Sequence, residues 1–153
     1  MKQGPTAGTW WIEPGRLLAG PYPRDPAVLC DAGVDVFFDL THDSDLLAPY
    51  APRLPPGVRT VRRPIRDYAA PPRQELVETL DLLERELDDG HVVYLHCLGG
   101  IGRTGTVLGC HLVRSGLDGP AALARLREIG KHPEAAEQVR LVAGWAEPAR
   151  ADS

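Results

Sequence analysis

Apolar positions along the chain change their period several times, and each change marks an element. "TWWI", "RLLAG", "VDVFFDL" (34–40), "VRTVR" (58–62) and "VVYLHC" are short runs rich in β-branched and aromatic residues, the composition of buried strands. From Arg73 to Asp88 the period becomes helical, with Leu76, Val77, Leu80, Leu83 and Leu87 on one stripe; Pro71 and Pro72 precede it and Gly90 supplies the stop. "DPAVLCDAG" predicts a short helix ending at Gly33, and "RTGTVLGCHLVRSG", "PAALARLREIG" and residues 133–145 predict three more. Strands alternating with helices predict an α/β fold: a central, mostly parallel sheet of four to five strands flanked by helices.

In such sheets the carboxyl ends of the strands share one edge, where ligands bind. The loops after Leu40, Arg62 and His96 should therefore meet, bringing together Asp43 and Asp45, Asp67, and Cys97 with Arg103. Residues 49–56 and 64–72 are proline-punctuated but too short to divide domains, so the 153 residues read as one domain with an irregular tail after about residue 147.

Charge and cysteine content narrow the chemistry. A net charge of −4 offers no global attraction to nucleic acid or an anionic membrane, so an anion site has to be local. The start lacks an apolar signal core and no stretch of about 18 apolar residues occurs, so we expect a soluble, cytoplasmic protein. Cys30, Cys97 and Cys110 are too few and too scattered for a disulfide framework or for paired metal-ligand spacing, which leaves reduced thiols.

"HCLGGIGRTG", residues 96–105, admits three readings. Gly100, Gly102 and Gly105 spell G-x-G-x-x-G between a strand and a helix, as a dinucleotide fingerprint would, but no acidic ribose ligand follows at the expected spacing and too little chain remains. No Lys-Ser/Thr pair closes the loop as a mononucleotide site requires. A lone strand-end cysteine is ordinarily core. The full set reverses that: Cys97, then glycines, then Arg103 in a C-x5-R spacing, then Thr104 and Gly105.

The physical case is an anion cradle holding a nucleophile. A cysteine at the mouth of a helix N-terminus faces several amide donors and the positive end of the helix dipole, which favour the thiolate. Glycines let successive amides converge on a tetrahedral oxyanion. The guanidinium of Arg103 can grip two of its oxygens at once. Attack on phosphorus needs a proton donor for the leaving oxygen and later a base for water. Asp67 is the candidate, with Asp43 and Asp45 as alternatives, although a solvated turn aspartate or a partner for Arg66 would look the same in sequence.

On these residues the chain resembles the cysteine-dependent protein tyrosine and dual-specificity phosphatases. "HCLGGIGRTG" fits their H-C-x-x-G-x-G-R-[ST]-G signature, "PIRDYAAP" is similar to the general-acid loop of small dual-specificity-like members, and "WIEPGRLLAGPYP" and "EQVRLVAGW" look like the ends of compact members. The resemblance implies the tyrosine phosphatase fold and a two-step, metal-free reaction through a phosphocysteine on Cys97, with Asp67 as acid and then base. It implies that the amides of Leu98, Gly99, Gly100, Ile101, Gly102 and Arg103 bind phosphate together with the Arg103 side chain, that Thr104 stabilises the thiolate and that His96 orients the loop.

The implied partner is a phosphorylated protein carrying phosphotyrosine, with phosphoserine or phosphothreonine as further substrates, acted on by a monomer without nucleic acid or membrane. Leu98 and Ile101 are apolar where phosphoinositide-directed relatives often carry lysines, which favours protein over inositol lipid. Three other readings remain: a phosphate-binding module that no longer turns over, a phosphoinositide phosphatase, and thiol redox chemistry. The last needs a resolving cysteine, for which Cys110 lies too far along the following helix. Arg66, near Arg59, Arg62 and Arg63, either attracts substrate or is a solvated arginine. Gln138 either orients the hydrolytic water or is an ordinary polar residue at a helix start.

Overall fold

The computed structural model describes residues 1–147, so the expectation of an irregular tail beyond that point lies outside the described residues. The order is β1 (Lys2–Gln3), β2 (Trp10–Glu13), β3 (Leu17–Gly20), α1 (Pro26–Asp31), β4 (Val36–Asp39), β5 (Arg59–Arg62), α2 (Arg73–Asp88), β6 (Val93–His96), α3 (Gly102–Arg114), α4 (Gly119–Glu128) and α5 (Ala136–Ala143). Two short 3₁₀ turns, Asp43–Asp45 and Ala51–Arg53, sit between β4 and β5.

The strands form one mixed sheet in the order β1-β2-β3-β6-β4-β5, in which β3, β6, β4 and β5 run parallel while β1 and β2 pair antiparallel at one end. The sheet thus has six strands rather than the four to five expected. The additional one, β1, is a two-residue pairing of exposed polar side chains, too short to leave a hydrophobic period. α5 is also shorter than residues 133–145: it starts after the extended Ala135 and ends at Ala143, before Gly144.

Alternation along the strands covers both faces of the sheet. Leu17, Val93 and Val36 align in register, as do Ala19, Leu95 and Phe38, and both rows join one core with Leu76, Leu80 and Leu83 of α2, Val107 and Leu108 of α3 and Leu126 of α4. The intervening row, Leu18, Tyr94 and Phe37, faces the other way and packs with Leu29 of α1, Val34 and Tyr50. Each such side chain contributes about 1.5–3 kcal/mol on burial.

β6 lies between β3 and β4, with all four of its residues buried. Its carboxyl end is therefore flanked by the segments that leave both neighbours. The chain then turns into α3, which is buried from Gly102 through Leu112 and packs against α2, α4 and α5. A central strand feeding a central helix gives the loop between them rigid walls. Among the described residues no helix is long and apolar enough to cross a membrane.

Gly105, in the first turn of α3, lets the segment after α4 approach closely: a Cβ there would lie 2.5 Å from the Lys131 carbonyl oxygen and 2.5 Å from the His132 carbonyl carbon. Backbone cannot swing aside as a side chain tip can. Gly105→Ala is therefore expected to lower unfolding stability by about 1–3 kcal/mol. Urea denaturation of the two proteins checks this, and equal midpoints would contradict it.

Candidate active site

The loop after β6 is shaped by what surrounds it. Gly100 has φ 72° and a Cβ on it would fall 2.3 Å from the carbonyl carbon of Gly20, so only glycine fits where the end of β3 crosses the loop. The Tyr22 N–H donates to the Leu98 carbonyl at 3.0 Å and fixes the same crossing. The loop then delivers its chain into α3, with Arg103 and Thr104 in the first turn.

Cys97 is buried at the foot of this loop, and its Sγ accepts hydrogen bonds from the Gly100 N–H and the Thr104 hydroxyl, both at 3.2 Å. The sulfur thus sits where two hydrogen-bond donors converge at the start of α3.

Arg103 is the largest fully buried side chain, 2% exposed, and its five N–H groups can be assigned one by one. Nη1 donates to Asp45 Oδ2 at 2.7 Å and to the Ile65 carbonyl at 2.9 Å, and Nη2 donates to Asp45 Oδ1 at 3.2 Å. Asp45 thus holds the guanidinium end-on. What remains is one N–H on Nη2 and the N–H on Nε, which is buried without a hydrogen-bond partner. These two lie side by side, the pair of N–H groups of a guanidinium that a bidentate oxyanion would use. Asp67 stands at its edge, Oδ1 3.5 Å from Nε, with its side chain about half exposed.

Asp45 therefore has a different task from the alternative proton donor expected of it. Burial alone would raise its carboxyl, but the hydrogen bonds and charge of Arg103, with the His42 amide, outweigh burial and hold it below the usual carboxylate range. It comes from a 3₁₀ turn stapled by reciprocal bonds, the His42 N–H to Asp45 Oδ2 at 2.8 Å and the Ser44 N–H to His42 Nδ1 at 3.1 Å. Asp43 points away, fully solvated against Arg62 at 3.0 Å.

His96 is fully buried beneath the loop. Its Nδ1 lies 3.0 Å from the Cys97 carbonyl, which can only accept, so Nδ1 carries the proton and Nε2 accepts from the Tyr50 hydroxyl at 2.6 Å. The Tyr94 ring stacks on it, with centroids 5.6 Å apart. Burial pushes the imidazole below its ordinary pKa, against the opposing charge of Asp39. A neutral histidine whose ring nitrogens are both engaged is a brace for the Cys97 backbone.

The three loops converge as the sheet edge predicted: Asp45 follows β4, Asp67 follows β5, and Cys97 with Arg103 follows β6. The arginine cluster looks different in three dimensions. Arg59 pairs with Glu86, Arg62 with Asp43 and Arg63 with Glu78, while no ion pair is formed by Arg66 among the described residues. Cys110 is buried on α3, where burial pushes its thiol up, and all three cysteines are free. Gln138 is fully buried at the start of α5. Sequence reasoning missed the end-on role of Asp45 and the Tyr50–His96 bond. Both join residues far apart in the chain, and the one cue, an Asp three residues after His42, read as a loop.

The geometry defines a class, a buried cysteine at the foot of a glycine loop that a buried arginine closes. The chain belongs to the family whose model is described as "Swiss Army Knife protein, DSP-PTPase phosphatase domain", which matches residues 6–146. Among curated relatives, protein 067L of Invertebrate iridescent virus 3, named as a candidate tyrosine phosphatase, is 34% identical over 103 residues, 63% of this chain and 42% of that protein. The phosphatidylglycerophosphate phosphatase PTPMT1 of Arabidopsis thaliana is 26% identical over 125 residues, 78% of this chain and 37% of that protein. The chain thus spans less than half the length of these two relatives. Among solved structures, Tk-PTP in its active form superposes with a TM-score of 0.76 at 29% identity, covering 89% of this chain and 94% of that one.

Two outcomes follow from the geometry. Asp45→Asn keeps the shape but removes the charge that orients Arg103. Loss of a hydrogen bond to a charged group, about 1.5–3 kcal/mol, corresponds to a fall of roughly ten- to a hundredfold in affinity for an oxyanion such as vanadate. Unchanged vanadate inhibition would contradict the end-on role. His96 gives a pH dependence. Its folded pKa lies below the unfolded value of 6.5, so its contribution to stability is complete above that value and is lost as pH falls from there towards the folded pKa. Urea midpoints should fall between pH 8 and pH 5 in the parent protein, and less steeply in His96→Asn.

Proposed function

We propose that this chain is a phosphomonoesterase that hydrolyses phosphotyrosine on proteins, and phosphoserine or phosphothreonine where these reach the same pocket, through a phosphocysteine on Cys97. One observation carries the reading: Arg103 is held end-on by Asp45 so that its free N–H groups form a side-on fork beside Cys97, with Asp67 3.5 Å from that fork.

In this scheme the Cys97 thiolate attacks phosphorus while the bond to the leaving oxygen breaks and Asp67 gives that oxygen its proton. The amides of Leu98, Gly99, Gly100, Ile101, Gly102 and Arg103, with Nε and Nη2 of Arg103, hold the non-bridging oxygens as their charge redistributes. Water then attacks phosphorus, the P–S bond breaks, Asp67 takes the proton of water, and orthophosphate leaves with Cys97 again a thiolate. Thr104 donates to sulfur both when it attacks and when it departs, and His96 holds the carbonyl of Cys97. No metal or cofactor enters the scheme.

Preference for an aryl phosphate is supported by the rim. Leu46, 90% exposed, and Tyr68, 61% exposed, follow the two aspartates that meet Arg103, and both hold a left-handed backbone with φ 55° and 61°. Large side chains rarely adopt that conformation, and here it leaves two apolar side chains exposed directly after those aspartates. A second reading, a lipid phosphate monoester, is favoured by the name of the plant relative.

The test is hydrolysis in EDTA of p-nitrophenyl phosphate, a phosphotyrosine peptide and micellar phosphatidylglycerophosphate. Parent protein should turn over the first two, Cys97→Ser should lose activity by several orders of magnitude, and Asp67→Asn should lose about 10²–10⁴-fold on phenyl phosphate. Activity that survives Cys97→Ser overturns the covalent mechanism. Turnover of the lipid alone moves the chain to the second reading, and tight binding of the peptide without product makes it a binding module.

A further inference from the structure

Asp67 sits at the corner of a four-residue turn that looks unstable by itself. The Ala69 N–H donates to the Arg66 carbonyl at 3.0 Å, closing Arg66-Asp67-Tyr68-Ala69. Tyr68 takes the third position with φ 61°, where such turns normally use glycine or asparagine. A strained residue of this kind persists only where its surroundings over-determine it.

Two buried side chains grip the turn from either side. Before it, Nη1 of Arg103 donates to the Ile65 carbonyl at 2.9 Å. After it, Nε2 of Gln138 donates to the Ala69 carbonyl at 3.1 Å. Gln138 is 0% exposed, and its Oε1 accepts from the N–H groups of Glu134 and Ala135, each at 3.1 Å. The same amide thus caps the start of α5 and reaches across to the loop. An amide fixed at both ends inside the protein is a rigid strut.

We propose that Gln138 is a positioning residue for the proton-transfer step: it fastens the Asp67 turn in its working place. The proposal rests on the reading of Asp67 as general acid. The acid loop of this protein is therefore held beside Arg103 before any substrate arrives, and the geometry needed for proton donation is set from the start of α5. A role in orienting water for the second step would act through phosphocysteine breakdown instead, and the two roles separate kinetically.

Two variants isolate the bond. Gln138→Glu retains oxygens that accept from Glu134 and Ala135, so the helix start keeps its cap while donation to Ala69 is lost; Gln138→Ala removes both. Proton donation matters most when the leaving group is poor, so kcat/KM is compared on phenyl phosphate and p-nitrophenyl phosphate. Both variants should lose about tenfold on phenyl phosphate and less than about twofold on p-nitrophenyl phosphate, a part of the 10²–10⁴-fold that a general acid supplies. In an Asp67→Asn background the same substitutions should have no further effect on phenyl phosphate, because the group they position is gone.

Equal losses on both substrates, or losses that add to Asp67→Asn, overturn the proposal. So does a stoichiometric burst of phenolate followed by slow turnover, which moves Gln138 to the water step. If Asp67→Asn leaves the leaving-group dependence unchanged, the acid assignment itself fails and takes the proposal with it. If Asp67→Asn steepens that dependence and the Gln138 variants match the parent, the tether alone is wrong.

Discussion

A guanidinium that is 2% exposed has to be balanced or it would not stay buried, and the way Arg103 is balanced organises the site. Burying an unpaired charge costs several kcal/mol, and Asp45 offsets this with two bonds on the end of the fork. Ile65 takes a third N–H through its carbonyl. The arrangement satisfies the charge while leaving two parallel N–H groups on the side that faces the loop. Had the carboxylate sat on that side, those two N–H groups would be taken. Asp45 can take its end-on place because the 3₁₀ turn after β4 is locked by His42, and Ile65 because the chain leaving β5 runs beside it.

The remainder of the cradle follows from the position of β6. A central, fully buried strand cannot shift, so the carbonyl of Cys97 is set by the strand and by the neutral imidazole of His96 beneath it. Crossing of the loop by the end of β3 forces glycine at position 100, and the segment after α4 forces glycine at 105. The glycines that resembled a nucleotide fingerprint are thus close-approach residues. Two of them admit backbone from elsewhere in the fold, and the amide of Gly100 turns onto sulfur.

Much of this was legible in the chain. The strand run ending in His96, the C-x5-R spacing and the helical stripe of α2 each carry a period or a spacing that single-chain reasoning detects. Convergence of the loops after β4, β5 and β6 follows from parallel topology alone. What the chain concealed was pairing at long range. Nothing near Asp45 announces Arg103, nothing near Tyr50 announces His96, and Gln138 reads as a helix-start residue until Ala69 is seen opposite it. The arginines show the reverse error: Arg59, Arg62 and Arg63 look like a basic patch in sequence, but each meets a carboxylate in the fold.

The account depends most on Arg103 keeping its grip on Asp45 while its free side takes an oxyanion. A crystal structure with tungstate bound measures this directly. The account predicts the anion above the Cys97 sulfur, two of its oxygens on Nε and Nη2 of Arg103, and Asp45 still bonded end-on through Nη1 and Nη2. An anion bound away from Cys97, or an Arg103 that has released Asp45 to reach it, would contradict the account.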